Sequence, residues 1–485
     1  MGLTVRRAVR MPAPGFGAGG GALPGEVVRR QATLQGEDAR RVIADIAQAT
    51  ARLAFGALIV LSPFRARIEL ATRPTPPVYG DYTDFLLTFS DVVLIATLGL
   101  WLVSLAARPR PVSIGRPFIR WPVVGLLVFA WMTVPFSVDP PLAAYNAARF
   151  VVLAALAVYV LNEVDGVGRL ALPLMAMVTI QAVVGIGQAI DQRSIGLPWL
   201  GELSLDPSVG GVSIVTAADG TRGLRAYGLT DHPNILGGLL SLALLALAAG
   251  LSRARETGLA LRTVVFALGA AALLLTFSRS AWFAMAVGAA VAIAMLAYRR
   301  DASSLGRWGT CLLAAALLCA PFVAPVGKYL DARLDGAASG ITTEVRSLDE
   351  RSALIDATDR VISDRAFIGV GLGALPLAMR QADPSFGFPY QPAHLVLLDV
   401  AAEIGLFGAL SYALLLVMPW IALLRRRRSW TPELAGLSGA LAALTVVGLF
   451  DYYPWTLTPG RIWAWLILGL WAMAYERAVR GTERA

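Results

Sequence analysis

The chain has 485 residues, 56% of them hydrophobic and 15% charged, with a formal net charge of +9. A soluble domain of this length carries more charge and lacks serial apolar runs near 20 residues, so a water-soluble fold is excluded. The runs are also too long and too uniformly apolar for barrel strands, which leaves helices as the spanning element.

Residues 1–40 are rich in Gly, Pro and Arg and have no apolar core. Arg6, Arg7 and Arg10 mimic the start of a signal peptide, but Met11-Pro12-Ala13-Pro14-Gly15 supplies no hydrophobic region, so a disordered cytoplasmic tail is expected. Residues 41–476 are expected to form one transmembrane domain of about twelve helices, near 43–64, 85–106, 119–136, 144–162, 169–190, 233–251, 262–277, 280–298, 307–327, 394–424, 434–452 and 459–476. Residues 477–485 then form a second cytoplasmic tail.

Orientation follows from the basic residues of the short loops. Arg108, Arg110, Arg116 and Arg120 share one loop, Arg253, Arg255 and Arg262 a second, Arg299, Arg300 and Arg307 a third, and Arg425 to Arg428 a fourth. When spans alternate, all four lie on one side with both termini, and that side is assigned to the cytoplasm. The opposite, periplasmic side carries two long loops, 191–232 and 328–393. In the second loop, Ser347-Leu348-Asp349-Glu350 reads as a capping box. Arg351, Leu354, Ile355, Thr358, Val361 and Ile362 then fall on one helical face, as an amphipathic helix on the membrane or a lid over a cavity. Gly369-Val370-Gly371-Leu372-Gly373 lacks the strand and helix context of a nucleotide loop and reads as a flexible turn.

Most of the distinctive polar residues fall on that periplasmic face. His394 is one of only two histidines, and it follows Pro392 at the start of an apolar run. A neutral imidazole at a helix N-terminus suits a general base, and it equally suits an interfacial residue bonded to a carbonyl. Asp399 and Glu403 sit four apart within that run, and a structural role beside an arginine of a neighbouring helix suits Glu403. Asp399 is turned too far from His394 in a regular helix to pair with it. Thr276-Phe277-Ser278-Arg279-Ser280 breaks an apolar stretch and holds Arg279 at the membrane edge, where a guanidinium matches phosphate oxygens or anchors a headgroup. Before another span, Arg222, Arg225 and Asn234 surround Gly228 and Pro233, with Thr230, Asp231 or Asn234 expected to cap the helix and His232 read as a turn residue. Arg149 and Arg351 complete the basic set. Two distant histidines and the lone pair Cys311 and Cys319, eight apart, offer no metal site and no disulfide.

Three ordered stretches resemble the O-antigen ligase and polysaccharide polymerase superfamily. Tyr227-Gly228 through His232-Pro233-Asn234 to Gly237 is similar to its Pro-Asn segment, and Thr276-Phe277-Ser278-Arg279 through Trp282 to its Ser-Arg turn. His394-Leu395, nine residues, then Gly405-Leu406-Phe407-Gly408 is similar to its ligase motif, and Ile368-Gly369-Val370-Gly371 to the segment before that histidine. Leu395 stands where the family has a polar residue, and Ala409 and Leu410 stand where ligases often have Thr, so a polymerase fits equally well.

The resemblance implies an all-α, polytopic glycosyltransferase of GT-C-like type in the bacterial inner membrane. Its donor would be a glycan on polyprenyl diphosphate and its acceptor a glycan or lipid A-core hydroxyl, with no cofactor, metal or nucleic acid. His394 would be the base, and Arg279 and Arg225 would clamp the diphosphate. Arg149, Arg222, Arg351 and Asn234 would bind substrate, and Glu403, Gly405 and Gly408 would be structural. A polysaccharide transporter or flippase is the rival class, although the polar residues here gather at one edge rather than at mid-membrane.

Overall fold

The apolar runs fold as helices. The computed structural model describes residues 24–335 and 342–483. In chain order these are α1 (Pro24–Leu61), α2 (Phe89–Ala107), α3 (Pro117–Met132), α4 (Pro140–Glu163), α5 (Ala171–Asp191), α6 (Pro233–Ala249), α7 (Glu256–Leu275), α8 (Arg279–Tyr298) and α9 (Ala302–Asp335). They continue with α10 (Thr342–Arg365), α11 (Leu375–Ala382), α12 (Val396–Arg425), α13 (Pro432–Phe450), α14 (Tyr453–Thr456) and α15 (Thr458–Glu483).

Each of the twelve expected spans falls on a helix, and among the described residues ten helices are long and apolar enough to cross a membrane. The two further helices at expected spans are the core of the bundle. The 17-residue α6 is buried on nearly every side, and α15 buries Trp463 and Trp471 completely. Helix α13 packs against α6, α8 and α15: Gly288 and Ala292 of α8 meet Gly439 and Ala443 of α13, and Gly436 of α13 meets Ala249 of α6. Small residues let two helix backbones approach, which maximises van der Waals contact where lipid offers no hydrophobic drive. Helix α9 is the most peripheral of these ten: about a tenth of its apolar window is buried, against 28% for α3 and 33% for α1 and α12.

Two short hairpins carry the little sheet there is. β1 (Arg67–Ala71) pairs antiparallel with β2 (Phe85–Thr88), and β3 (Ile214–Thr216) with β4 (Arg222–Leu224). β2 runs straight into α2, whose first turn is closed by a reciprocal cap between Thr88 and Asp91.

The structure differs from the sequence reading in three places. Residues 24–40 belong to α1, and the rest of the expected tail, 1–23, lies outside the described residues, as do 484–485 of the second tail, whose residues 477–483 are helical. Ser347-Leu348-Asp349-Glu350 lies inside α10, which starts at Thr342, so it does not begin the helix. The buried face of α10 is Leu354, Ala357, Thr358 and Val361, with Ile355 exposed, and it packs on α11 and α12.

Candidate active site

One cavity of about 1070 Å3 collects nearly every polar residue singled out above. Its wall takes residues from the entry ends of α2, α4, α6, α8, α12 and α15, and from the exit ends of α1, α7, α9 and α13. Nine arginines, five carboxylates and both histidines of the chain line it. Such an excess of guanidinium in a recess focuses positive potential and favours an anionic occupant. Arg346, Leu348, Glu350 and Arg351 of α10 reach the same wall, so this helix roofs the cavity rather than lying only on a membrane surface.

His394 sits two residues before α12, at a bend that follows Pro392, so Pro392 is not in the first helical turn. The imidazole faces Asp451, the residue that closes α13, with Nδ1 at 3.6 Å from Oδ1. That is just beyond hydrogen-bond length. Asp451 is held from two other sides, by the Asn234 Nδ2 donor at 3.1 Å and the Tyr452 backbone N–H at 3.1 Å. Burial alone would raise the Asp451 carboxyl, but the facing His394 and the nearby Arg351 hold it below the ordinary carboxylate value, so it is ionised at neutral pH. The Tyr452 ring packs edge-on to His394 at 5.0 Å, and its hydroxyl meets Tyr82 and Gln391. Gln391 in turn donates to Glu350 of α10 at 2.8 Å, which ties the roof to the histidine loop.

The α12 helix beyond His394 is broken. Ile404 leaves helical geometry and Gly405 adopts φ 74° and ψ 174°, a conformation open to glycine alone. The segment after α10 fills the gap: Val370 N–H donates to Ala402 O and Gly371 N–H to Glu403 O, while Leu406 N–H donates to Ala366 O. A Cβ on Gly405 would lie 2.2 Å from Phe367 O, and one on Gly369 2.5 Å from Glu403 O. Gly369-Val370-Gly371 is thus a tightly packed plug and not a flexible turn. Gly408 lies one turn on, buried against Ile404. Glu403 accepts from the Trp455 indole at 2.8 Å, so its partner is a neutral donor where an arginine was expected. Asp399 is fully buried and does not line the cavity.

Arg225 is 4% exposed and its guanidinium is spread over three acceptors: Thr276 O at 2.7 Å, Ser213 Oγ at 2.8 Å and Asn234 Oδ1 at 2.6 Å. A continuous path therefore runs from the Thr276 turn through Arg225, Asn234 and Asp451 to His394. α6 is capped by His232, whose Nδ1 accepts from Asn234 N–H at 3.1 Å, in place of the three capping residues expected. Burial and the Arg225 charge push the His232 imidazole down to about 3, which keeps it neutral and able to accept.

Arg279 is the first residue of α8, and Phe277 before it takes φ 50° to make the reversal. Its guanidinium donates to Arg333 O at 3.1 Å, and both arginines line the cavity. Arg149 lines it too, bonded to Asp91 at 2.7 Å and Thr458 at 2.6 Å. Arg222 is exposed on β4, contacts Ser208 O, and is not on the cavity wall. Sequence reasoning missed the His394–Asp451 pairing and also Arg461, which is 3% exposed and donates to Asn146 at 3.0 Å. The available signal was a charged residue at the exit of one apolar run and another just inside the next.

Residues 264–413 match the family model described as O-Antigen ligase. That match supports the O-antigen ligase and polymerase superfamily, and with it a glycosyltransferase-like enzyme that ligates or polymerises glycans. It runs from the middle of α7 to the middle of α12 and so includes Arg279, Arg351, His394, Glu403, Gly405 and Gly408. Arg149, Arg222, Arg225 and Asn234 lie outside it. No curated protein matches the chain.

Proposed function

We propose that the chain transfers or polymerises a glycan from a polyprenyl-diphosphate carrier onto an acceptor hydroxyl, at the periplasmic face of a bacterial inner membrane and with both termini cytoplasmic. The observation that carries the reading is the single cavity in which His394 faces the ionised Asp451 amid nine arginines.

A carboxylate beside Nδ1 favours the tautomer with the proton on Nδ1 and leaves Nε2 as the acceptor. His394 then takes the proton of the acceptor hydroxyl as its oxygen attacks the anomeric carbon. The bond from that carbon to the diphosphate oxygen breaks, and its electron pair leaves with the diphosphate. Attack from the opposite face inverts the sugar carbon. Negative charge grows on the leaving phosphate, and guanidiniums already fixed in the cavity stabilise it with little rearrangement. Arg279, with Arg351 and Arg333, is assigned to the diphosphate; Arg225, saturated by protein acceptors, positions Asn234 and Asp451. Positive charge from these arginines serves where other enzymes use a metal, and no nucleotide sugar is called for. Gaps in Asp451–His394 contact of a few tenths of an ångström close when substrate binds in many active sites.

The test is His394→Ala in membranes supplied with lipid-linked glycan on the outer face. The variant inserts normally and transfer stops. Undiminished transfer rejects His394 as the base, and accumulation of lipid-linked glycan only on the inner face points to a flippase instead.

A further inference from the structure

The cavity has a second cationic pole that the transfer step above does not use. It consists of Arg149 on α4 and Arg461 on α15, with Thr456 and Thr458 beside them. Arg149 is oriented by Asp91 and Thr458, and its cation lies 5.3 Å from the Tyr145 ring. Arg461 is oriented by Trp455 O and Asn146. Arg149 Nε and Thr456 Oγ1 are both buried without a hydrogen-bond partner among the described residues. Buried donors left unmet cost about 1–3 kcal/mol each, and in residues that line a cavity a ligand group drawn against them would relieve that cost.

This pole is separate from the one around Arg225, Arg279 and Arg333. The two sets come from different helices: Arg149 and Arg461 from α4 and α15, and Arg225, Arg279 and Arg333 from the approach to α6, the start of α8 and the end of α9. The link runs through the residues at the centre: Asp451 is bonded to Asn234 on one side, and Tyr452 leads through α14 to Thr456 on the other. His394, against Asp451 and Tyr452, is therefore linked to both poles. A base that joins two substrates needs one on either side of it. Arg279 belongs to the O-antigen ligase match, whereas Arg149, Thr456 and Arg461 all lie outside it.

We propose that Arg149, Arg461 and Thr456 form an acceptor subsite that binds an anionic substituent, a carboxylate or a phosphate, on the acceptor saccharide. The inference rests on the glycosyl-transfer reading and adds the chemical class of the acceptor. A guanidinium fork with a hydroxyl beside it matches the paired oxygens of either anion.

The experiment uses the full chain in lipid nanodiscs and three tagged disaccharide probes with the same reducing sugar: one ending in glucuronate, one in a 6-phosphoglucose and one in neutral glucose. Wild type and His394→Ala bind at least one anionic probe tenfold or more tightly than the neutral probe, and the tighter of the two names the anion. Arg149→Gln removes most of that preference, Thr456→Val reduces it about threefold, and Arg149→Lys keeps part of it. If wild type binds all three probes alike, or if none of the variants that retain the wild-type melting transition changes the preference, the subsite is refuted. Transfer from a lipid-linked donor by wild type without any probe preference sinks the subsite and leaves the transferase reading standing. Arg149-dependent binding without any transfer does the reverse.

Discussion

Asp451→Asn is the substitution that tests the centre of the site most directly. The amide has the size of the carboxylate and can still accept from Tyr452 N–H, so one charge-assisted hydrogen bond, from Asn234 Nδ2, about 1.5–3 kcal/mol, is lost from the fold. What disappears is the negative charge 3.6 Å from His394 Nδ1. At an effective dielectric near 20, a unit pair at that distance interacts by about 5 kcal/mol, and part of this is offset by desolvation. A loss of roughly 3–4 kcal/mol of stabilisation for the imidazolium formed during proton transfer lowers kcat about 10²- to 10³-fold. The donor-binding arginines are untouched, so KM for lipid-linked glycan stays within about twofold. The assay is steady-state transfer in proteoliposomes, with the protein's melting transition as the check on folding. A kcat within threefold of wild type, in a variant that melts normally, would show that Asp451 does not act through His394.

Arg279→Lys keeps the charge at the start of α8 but loses the planar fork, and the expected result is a donor KM at least tenfold higher, measured in the same assay. Gly405→Ala places a Cβ 2.2 Å from Phe367 O on a backbone with φ 74°, and the expected cost exceeds about 3 kcal/mol, read as a fall in melting temperature or in folded yield. His232 has its imidazole pushed down to about 3 from 6.5, so its contribution to stability is complete above pH 6.5 and is lost as pH falls toward 3. Between pH 6.5 and 5 that contribution is at most about 2 kcal/mol, less what cavity water screens. His232→Asn retains a capping acceptor and should flatten the acid side of the melting curve; an unchanged slope refutes the assignment.

The helices were legible because each is a long apolar run, and runs of that kind leave a signal without any partner being known. Arg225, Asn234, Arg279 and His394 were legible as a group because alternation placed them on one face, and they do line one cavity. Pairings were not legible. Asp451 follows His394 by 57 residues and meets it only because α13 returns beside α12. The Gly369-Val370-Gly371 segment reads as loose by composition, yet its glycines are there because the break in α12 at Ile404 and Gly405 leaves backbone groups that only a close approach can satisfy. Arg222 has the same composition signal as Arg225, three residues on in the same strand and loop, but an odd spacing along an extended chain turns them to opposite sides. The capping box at Ser347 failed because the helix had already begun upstream.

The cavity receives the starting ends of six helices and the finishing ends of four others. That parity restricts how such a chain can be rebuilt. Removing or adding one crossing ahead of α8 would deliver Arg279 and everything after it to the far leaflet, while Arg149 and the β1–β2 hairpin stayed behind, and the pocket would be split into two incomplete halves. Crossings can be gained or lost only as pairs, so any shortened or fused version that keeps working must preserve an even count between each pair of wall-forming segments.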